Sequence, residues 1–270
     1  MQRRPLGHSG LDVPVIGMGT WRTFDVGRGV AEQGRRAVLD AAFDAGATLF
    51  DTSPMYGEAE AVLARAIGAR RAHCLVADKL WTADDAEADA QVARALAWYG
   101  GRVDVYQVHN LVALDARLRT LHRLREAGQV GAVGVTHYQH AAFPELVRVI
   151  RSGQVDMVQI PYNAADDTAA RAVLPAAADH GVGVLVMRPL GEGRVARQRV
   201  SEAELAPLTA FGITSWAQAL LAWIVADERV SCAIPATTRP ERMRENAAVG
   251  AMPLLDADAR ALVGRLARRR

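Results

Sequence analysis

A closed (β/α)8 barrel of the α/β class, preceded by a β-hairpin, is expected from three observations. Short apolar runs alternate with longer amphipathic stretches along nearly all of the 270 residues, with no break in composition. Eight such runs recur about every 25 to 30 residues, the length of one βα unit in a barrel of roughly 250 residues. Polar residues able to ionise gather just behind several of the runs, at the end of a barrel where active sites lie. No linker or internal repeat divides the chain, and residues 1–270 are taken as one domain.

The first residues read differently from the rest. Arg4-Pro5-Leu6, a turn of Gly7-His8-Ser9-Gly10, and Leu11-Asp12-Val13 form a small hairpin placed to plug the bottom of a barrel. The strand candidates follow as 15–18, 48–51, 74–78, 103–108, 132–135, 157–160, 183–187 and 231–234. Their nearly continuous apolar character suits parallel strands covered on both faces. Between them, 33–45 places Val38, Ala41, Ala42 and Ala45 on one helical face and stops at Gly46. The stretch 58–67 stops at Gly68. The stretch 115–127 spaces Leu118, Leu121 and Leu124 by three and stops at Gly128. Beyond Gly193 a short segment leads to a helix expected at 201–210, and 256–270 reads as a final helix carrying Leu262, Val263 and Leu266.

Composition excludes several function classes. Basic residues number 32 and acidic residues 30, a net charge of +2, so no basic field invites nucleic acid. The longest apolar run, around 219–226, has about eight residues, against about 18 for a membrane-spanning helix. Arg3 and Arg4 lead into Pro5, Gly7, His8 and Ser9 instead of an apolar stretch, so no secretory leader is expected. Cys74 and Cys232 are expected to be reduced and buried in strands of a cytoplasmic protein. His137 and His140 stand three apart with no further ligand to complete a set, and no metal site is expected. Nothing indicates an oligomeric state.

The residues behind the strands suit a proton donor. The second strand ends at Asp51 and runs into Thr52-Ser53-Pro54-Met55-Tyr56-Gly57, the third ends at Lys79, and the fourth ends in Gln107-Val108-His109. A tyrosine has a pKa near 10 and is a reluctant acid at neutral pH. An adjacent cation such as Lys79 favours the tyrosinate and lowers that value. Asp51 holds and balances Lys79, a neutral His109 donates to a carbonyl oxygen, and Tyr56 protonates the alkoxide as it forms.

In these motifs the sequence resembles the aldo-keto reductases. The family pattern Asp-Thr-x-x-x-Tyr-Gly, then a strand-end Lys, then Gln-x-His, stands here as Asp51 to Gly57, Lys79, and Gln107 to His109. The resemblance runs from the hairpin to about Gly250. It implies a catalytic tetrad of Asp51, Tyr56, Lys79 and His109, and transfer of hydride from a reduced nicotinamide to an aldehyde or ketone.

The cofactor side is read in two ways. Gly17-Met18-Gly19 follows a strand, but Arg22 stands where a G-x-G-x-x-G motif needs its third glycine, so a Rossmann site is disfavoured. The segment from Ile234, Pro235 and Ala236 into Thr237, Arg239, Pro240 and Arg242 enters a helix, whose free N–H groups and guanidinium groups suit phosphate. By family similarity Thr237 and Arg242, with Arg239, face an adenosine 2′-phosphate, and Glu245 and Asn246 meet the adenine, which favours NADPH (NADP+). Thr20, Trp21 and Asp51 are counted among the cofactor contacts, and the same similarity puts Thr136, His137 and Gln159 on the nicotinamide amide and Met187, Arg188, Pro189, Leu190 and Gly191 along the ring and pyrophosphate. Relatives usually carry Asn at the place of His137 and often an aromatic near Met187-Arg188. Trp21 and Trp81, with Tyr56 and His109, are expected to line the substrate pocket, and the pair of tryptophans suits an apolar or aromatic carbonyl compound.

Two other readings stay open on the sequence. One is a nicotinamide-nucleotide sensor on the same fold with little turnover. The other is a Schiff-base aldolase with Lys79 as nucleophile.

Overall fold

The computed structural model describes residues 1–269. Strands β1 (Arg3–Pro5) and β2 (Asp12–Pro14) pair antiparallel, with Arg4 opposite Val13. Eight further strands form a parallel sheet in sequence order: β3 (Met18–Gly19), β4 (Leu49–Asp51), β5 (Leu75–Leu80), β6 (Val103–His109), β7 (Val130–Thr136), β8 (Met157–Pro161), β9 (Gly183–Met187) and β10 (Cys232–Ala233). Ile16 bridges Ala233 in parallel, and Gly17 N–H donates to the Ala233 carbonyl at 2.9 Å. Those bonds join the first strand to the last and close the ring. The helices packed outside are α1 (Val30–Asp44), α2 (Ala59–Ile67), α3 (Asp85–Trp98), α4 (Leu114–Glu126), α5 (Phe143–Arg151), α6 (Val173–Asp179), α7 (Glu202–Leu205), α8 (Trp216–Val225), α9 (Pro240–Ala248) and α10 (Ala257–Ala267). No single helix among the described residues is long and apolar enough to cross a membrane.

Period-two alternation sorts the strand side chains into two cores. The outer one fills the space between sheet and helices with Val76, Tyr106, Val108, Val133, Val158, Ile160, Val184 and Val186. The inner one holds Leu49, Ala77, Val105, Ala132, Met157, Leu185 and Cys232, and it takes Leu6 and Val13 from the hairpin. The hairpin therefore corks the barrel from below. Gly7 makes its turn at φ 57°, against the backbone of Asp156, Gly181 and Gly183, where any Cβ would collide. Arg4 ties the cork sideways, donating to the carbonyls of Val225 at 2.6 Å, Val230 at 2.7 Å and Asp227 at 3.1 Å. It thus supplies donors to the exposed carbonyl end of α8.

Two residues further along four of the inward rows, the chemistry changes. Leu49 is followed by Asp51, Ala77 by Lys79, Val105 by Gln107 and then His109, and Met157 by Gln159. The apolar floor thus gives way to a polar upper layer at the C-terminal ends of the strands.

Local deviations from the sequence expectation have local causes. The helix expected at 201–210 is only the single turn α7, capped by Ser201 and Glu204, followed by 3-10 turns from Ala206 to Phe211. Pro207 has no N–H to continue an α-helix. The final helix stops at Ala267, with Asp256 as its cap at 2.8 Å from Ala259 N; Arg270 lies outside the described residues. The first strand keeps only Met18 and Gly19 as a ladder because Val15 and Ile16 pair with the far side of the ring. Cys232 lies in β10, whereas Cys74 is buried just before β5; both are free thiols.

Candidate active site

Asp51 closes β4, and its carbonyl accepts from both Thr20 N at 3.0 Å and Thr20 Oγ1 at 2.9 Å, which pins the first two strand ends together. Lys79, two residues beyond Asp51's register partner Ala77 on β5, is 1% exposed and donates to Asp51 Oδ1 at 2.7 Å and to the Thr52 carbonyl at 2.7 Å. The loop after Asp51 makes a 3-10 turn over Pro54–Tyr56, capped by Ser53. Gly57 then adopts φ 61° with the Asp25 carboxylate packed where a Cβ would sit, and that carboxylate accepts from Glu58 N at 3.0 Å. This turn sets the Tyr56 ring 5.3 Å from Lys79 Nζ and 6.0 Å from the His109 ring, at 89°.

His109 ends β6, is buried, and bonds Ser53 Oγ through Nδ1 at 2.9 Å. Ser53 is fully buried and also accepts from Met55 N at 3.2 Å, and Nδ1 is the acceptor in reach of its hydroxyl proton. The imidazole proton is then on Nε2, the nitrogen left free for an incoming oxygen. Burial, with help from Lys79, pushes the His109 pKa down to about 3, so the ring is neutral in the physiological range.

The other groups shift in ways that keep protons in place. Burial raises the Tyr56 pKa above the usual phenol value; Lys79 opposes this, and Asp51 reinforces it. The expected lowering by Lys79 is present, but burial outweighs it, and the phenol stays protonated. For Lys79, burial acts to release the proton, yet Asp51, Tyr56 and Asp78 together outweigh it and hold the ammonium charged. A buried ammonium bonded to a carboxylate is a poor nucleophile, which argues against the Schiff-base reading.

A cavity of about 640 Å³ opens above these residues. Asp51, Tyr56, His109 and Gln159 lie at its base, Trp21, Met55 and Tyr138 on its walls, and 187–190 with Ile234, Pro235 and Ala236 along one flank. Across the flank Arg188 donates to Glu192 at 2.8 Å, and its guanidinium lies 5.0 Å from the Tyr138 ring and 5.9 Å from the Trp21 ring. Arg22 stacks on Trp21 at 4.2 Å and reaches the other Glu192 oxygen at 3.8 Å. Gln159 Oε1 is buried with no hydrogen-bond partner. Thr136 Oγ1 donates to the Gln159 carbonyl at 3.0 Å. Beyond Ala236, Arg239 pairs with Glu241 at 2.8 Å, Arg242 with Glu245 at 2.6 Å, and Ser215 with the other Glu245 oxygen at 2.5 Å. Asn246 is buried at the same helix.

Residues 15–265 match the model of the Aldo/keto reductase family. The chain belongs to the aldo/keto reductase family. Methylglyoxal reductase YeaE of Escherichia coli is 27% identical over 271 residues, covering 96% of this chain and 93% of that protein. L-glyceraldehyde 3-phosphate reductase of Escherichia coli is 25% identical, covering 91% of this chain and 86% of its own. Among solved structures, an aldo/keto reductase from Klebsiella pneumoniae in complex with NADP and acetate superposes with a TM-score of 0.83 at 25% identity, over 100% of this chain and 97% of that one. The holo aldo-keto reductase AKR11C1 from Bacillus halodurans has the same fold, with a TM-score of 0.81.

In this aldo/keto reductase the four residues expected as a tetrad meet at one place. The expected cofactor residues Trp21, Asp51, Gln159, Met187, Arg188, Pro189, Leu190, Ile234, Pro235 and Ala236 share one cavity. Thr20 and Thr136 are buried in the wall behind it, and Gly191 adjoins the lining residue Leu190. Thr237, Arg239, Arg242, Glu245 and Asn246 lie outside the cavity, in α9 and the turn before it. His137 stacks on Tyr138 at 5.5 Å and accepts from Gln139 N at 3.1 Å, so its Nδ1 is spent on its own loop. Trp81, expected to line the pocket, is exposed and is not one of the residues lining this cavity, although its ring lies 6.3 Å from that of His109. Sequence reasoning missed Ser53, Arg22, Asn110, Tyr138 and Glu192. The last four lie in loops that leave strands one, four, five and seven, so a reading carried further into those loops would have found them.

Proposed function

We propose that this aldo/keto reductase reduces small aldehydes or ketones to alcohols with NADPH, and that Tyr56 supplies the proton. The observation that carries the reading is the meeting of Tyr56, His109 and the Lys79–Asp51 pair, 2.7 Å apart, under one cavity. His109 Nε2–H and the Tyr56 hydroxyl are the donors available to a carbonyl oxygen placed between their perpendicular rings. Tyr56 gives up its proton as the alkoxide develops, and the neighbouring Lys79 ammonium stabilises the tyrosinate left behind. Asp51 keeps Lys79 charged and aimed.

The residues present fit a nicotinamide dinucleotide. The unpartnered Gln159 Oε1 is an acceptor for a carboxamide N–H, and burying it without a partner costs about 1–3 kcal/mol. Arg188, Arg22 and the arginines of α9 offer guanidinium donors to phosphates, with Arg242 and Thr237 for the 2′-phosphate. Bound there, the reduced nicotinamide supplies the hydride. The wall of Trp21, Met55 and Tyr138 suits a short carbonyl compound, consistent with the small aldehydes in the relatives' names.

The test is NADPH oxidation with a panel of aromatic and aliphatic aldehydes and ketones, wild type beside Tyr56→Phe. Turnover lost by at least about a hundredfold in the variant, with NADPH affinity kept, supports the reading. Equal turnover removes Tyr56 as the acid.

A further inference from the structure

On the other side of the barrel wall from Lys79 lie two carboxyls that the mechanism above does not use. Asp78 is flanked on β5 by the inward Ala77 and Lys79, so its side chain faces outward, beneath α2 and α3. It is 0% exposed. Glu60, in the first turn of α2, is 6% exposed, and its carboxyl neighbours that of Asp78. Asp78 Oδ1 accepts the backbone N–H of Lys79 at 2.8 Å. Asp78 Oδ2 is buried and has no N–H or side-chain O–H donor among the described residues. The neighbouring cations are spent elsewhere: Arg94 pairs with Glu87 at 2.9 Å, and Lys79 with Asp51 at 2.7 Å. The remaining groups around the pair are Tyr99, whose hydroxyl donates to the Glu60 carbonyl at 3.4 Å, and Tyr106 on β6.

Two adjacent buried carboxylates without a cation cannot both stay ionised. A proton on Glu60 resolves both problems, since its O–H is the missing donor for Asp78 Oδ2. We propose that Glu60 and Asp78 hold one proton between them, and that the anion kept on Asp78 is a positioning charge for Lys79 and, through Lys79, for Tyr56. The Asp78 anion also anchors the backbone from which Lys79 projects. Burial and the neighbouring carboxyl both push the Glu60 pKa far above the ordinary carboxylate range, in line with this arrangement. The Asp78 charge favours the protonated forms of both Lys79 and Tyr56.

The kinetic part of this proposal rests on Tyr56 being the acid; the shared proton does not. Infrared difference spectra of the whole protein at about pH 8, where ordinary carboxyls are ionised, should contain a protonated-carboxyl band that Glu60→Gln removes and Tyr56→Phe retains. The alkaline limb of kcat/KM should move to lower pH in Asp78→Asn, and likewise in Glu60→Leu, where Asp78, buried and without a donor, keeps the proton itself and loses its charge. Glu60→Gln, whose amide N–H replaces the lost O–H, should restore the wild-type limb. Absence of the band in the wild type, or its survival in Glu60→Gln, overturns the shared proton. A limb unmoved in both Asp78→Asn and Glu60→Leu overturns the coupling to Lys79. Should Asp78→Asn fail to fold, the two Glu60 variants and the spectra still decide. Loss of the Tyr56 reading would show separately, as turnover retained by Tyr56→Phe.

Discussion

Tyr56 and His109 differ in protonation behaviour, and for each the direction follows from burial. Burial keeps the phenol protonated beyond its usual range and strips the proton from the imidazolium. Because His109 titrates near 3, the fall in activity that an ordinary histidine causes on acidification through about 6.5 should be absent. An NMR titration of the His109 ring nitrogens should therefore be flat between about pH 5 and 8. Ser53→Ala frees the imidazole to take either tautomer, and should lower kcat about tenfold with little change in cofactor affinity. Arg242→Ala should weaken NADPH by about ten- to a hundredfold and NADH hardly at all, measured by fluorescence titration; an equal loss for both removes the 2′-phosphate role. At this scale the sequence was generous with the tetrad, whose members stand at strand ends in a recognisable spacing. It was silent on Ser53, Arg22 and Glu192, because their value lies in contacts between separate loops. Glu60 and Asp78 were equally invisible: a helix carboxyl and a strand carboxyl become a pair only when α2 lies across β5.

Elements were legible where periodicity was strong. The strand at 183–187 was read to the residue, and the hairpin's role as a cork followed from its place before the first wall strand. Boundaries slipped where pairing, not propensity, decides, as at Ile16, whose partner lies at the far end of the chain. The stretch 201–210 misled because its helical composition conceals Pro207. The cork itself is open to test. Leu6 is fully buried in the inner core, so Leu6→Ala should cost about 2–5 kcal/mol in chemical denaturation. Turnover per folded molecule should survive, since the apolar floor stands between the hairpin and the polar layer. A cost below about 1 kcal/mol would mean the hairpin is an ornament on an already complete barrel.

The whole molecule carries the proton of Glu60 as a term in its stability. In the unfolded chain Glu60 is ionised at neutral pH, whereas in the fold its proton is retained, so folding takes up a proton. Stability must then decline as pH rises above the ordinary carboxylate range. Compared at about pH 7 and 8.5, the Tm of the wild type should fall more than that of Glu60→Gln, which has no proton to take up. Parallel curves for the two proteins would contradict this. Closure of the ring has a consequence for synthesis. The bridge between Ile16 and Ala233 cannot form until nearly the whole chain has left the ribosome. Until then the nascent sheet has two bare edges, and unpaired edges recruit other strands. Chains stopped before Cys232 should accumulate as aggregates, while those that reach α9 should be recovered soluble. The cell's hold on this chain is therefore longest in the interval before its final strand arrives, and the yield of folded protein is decided there.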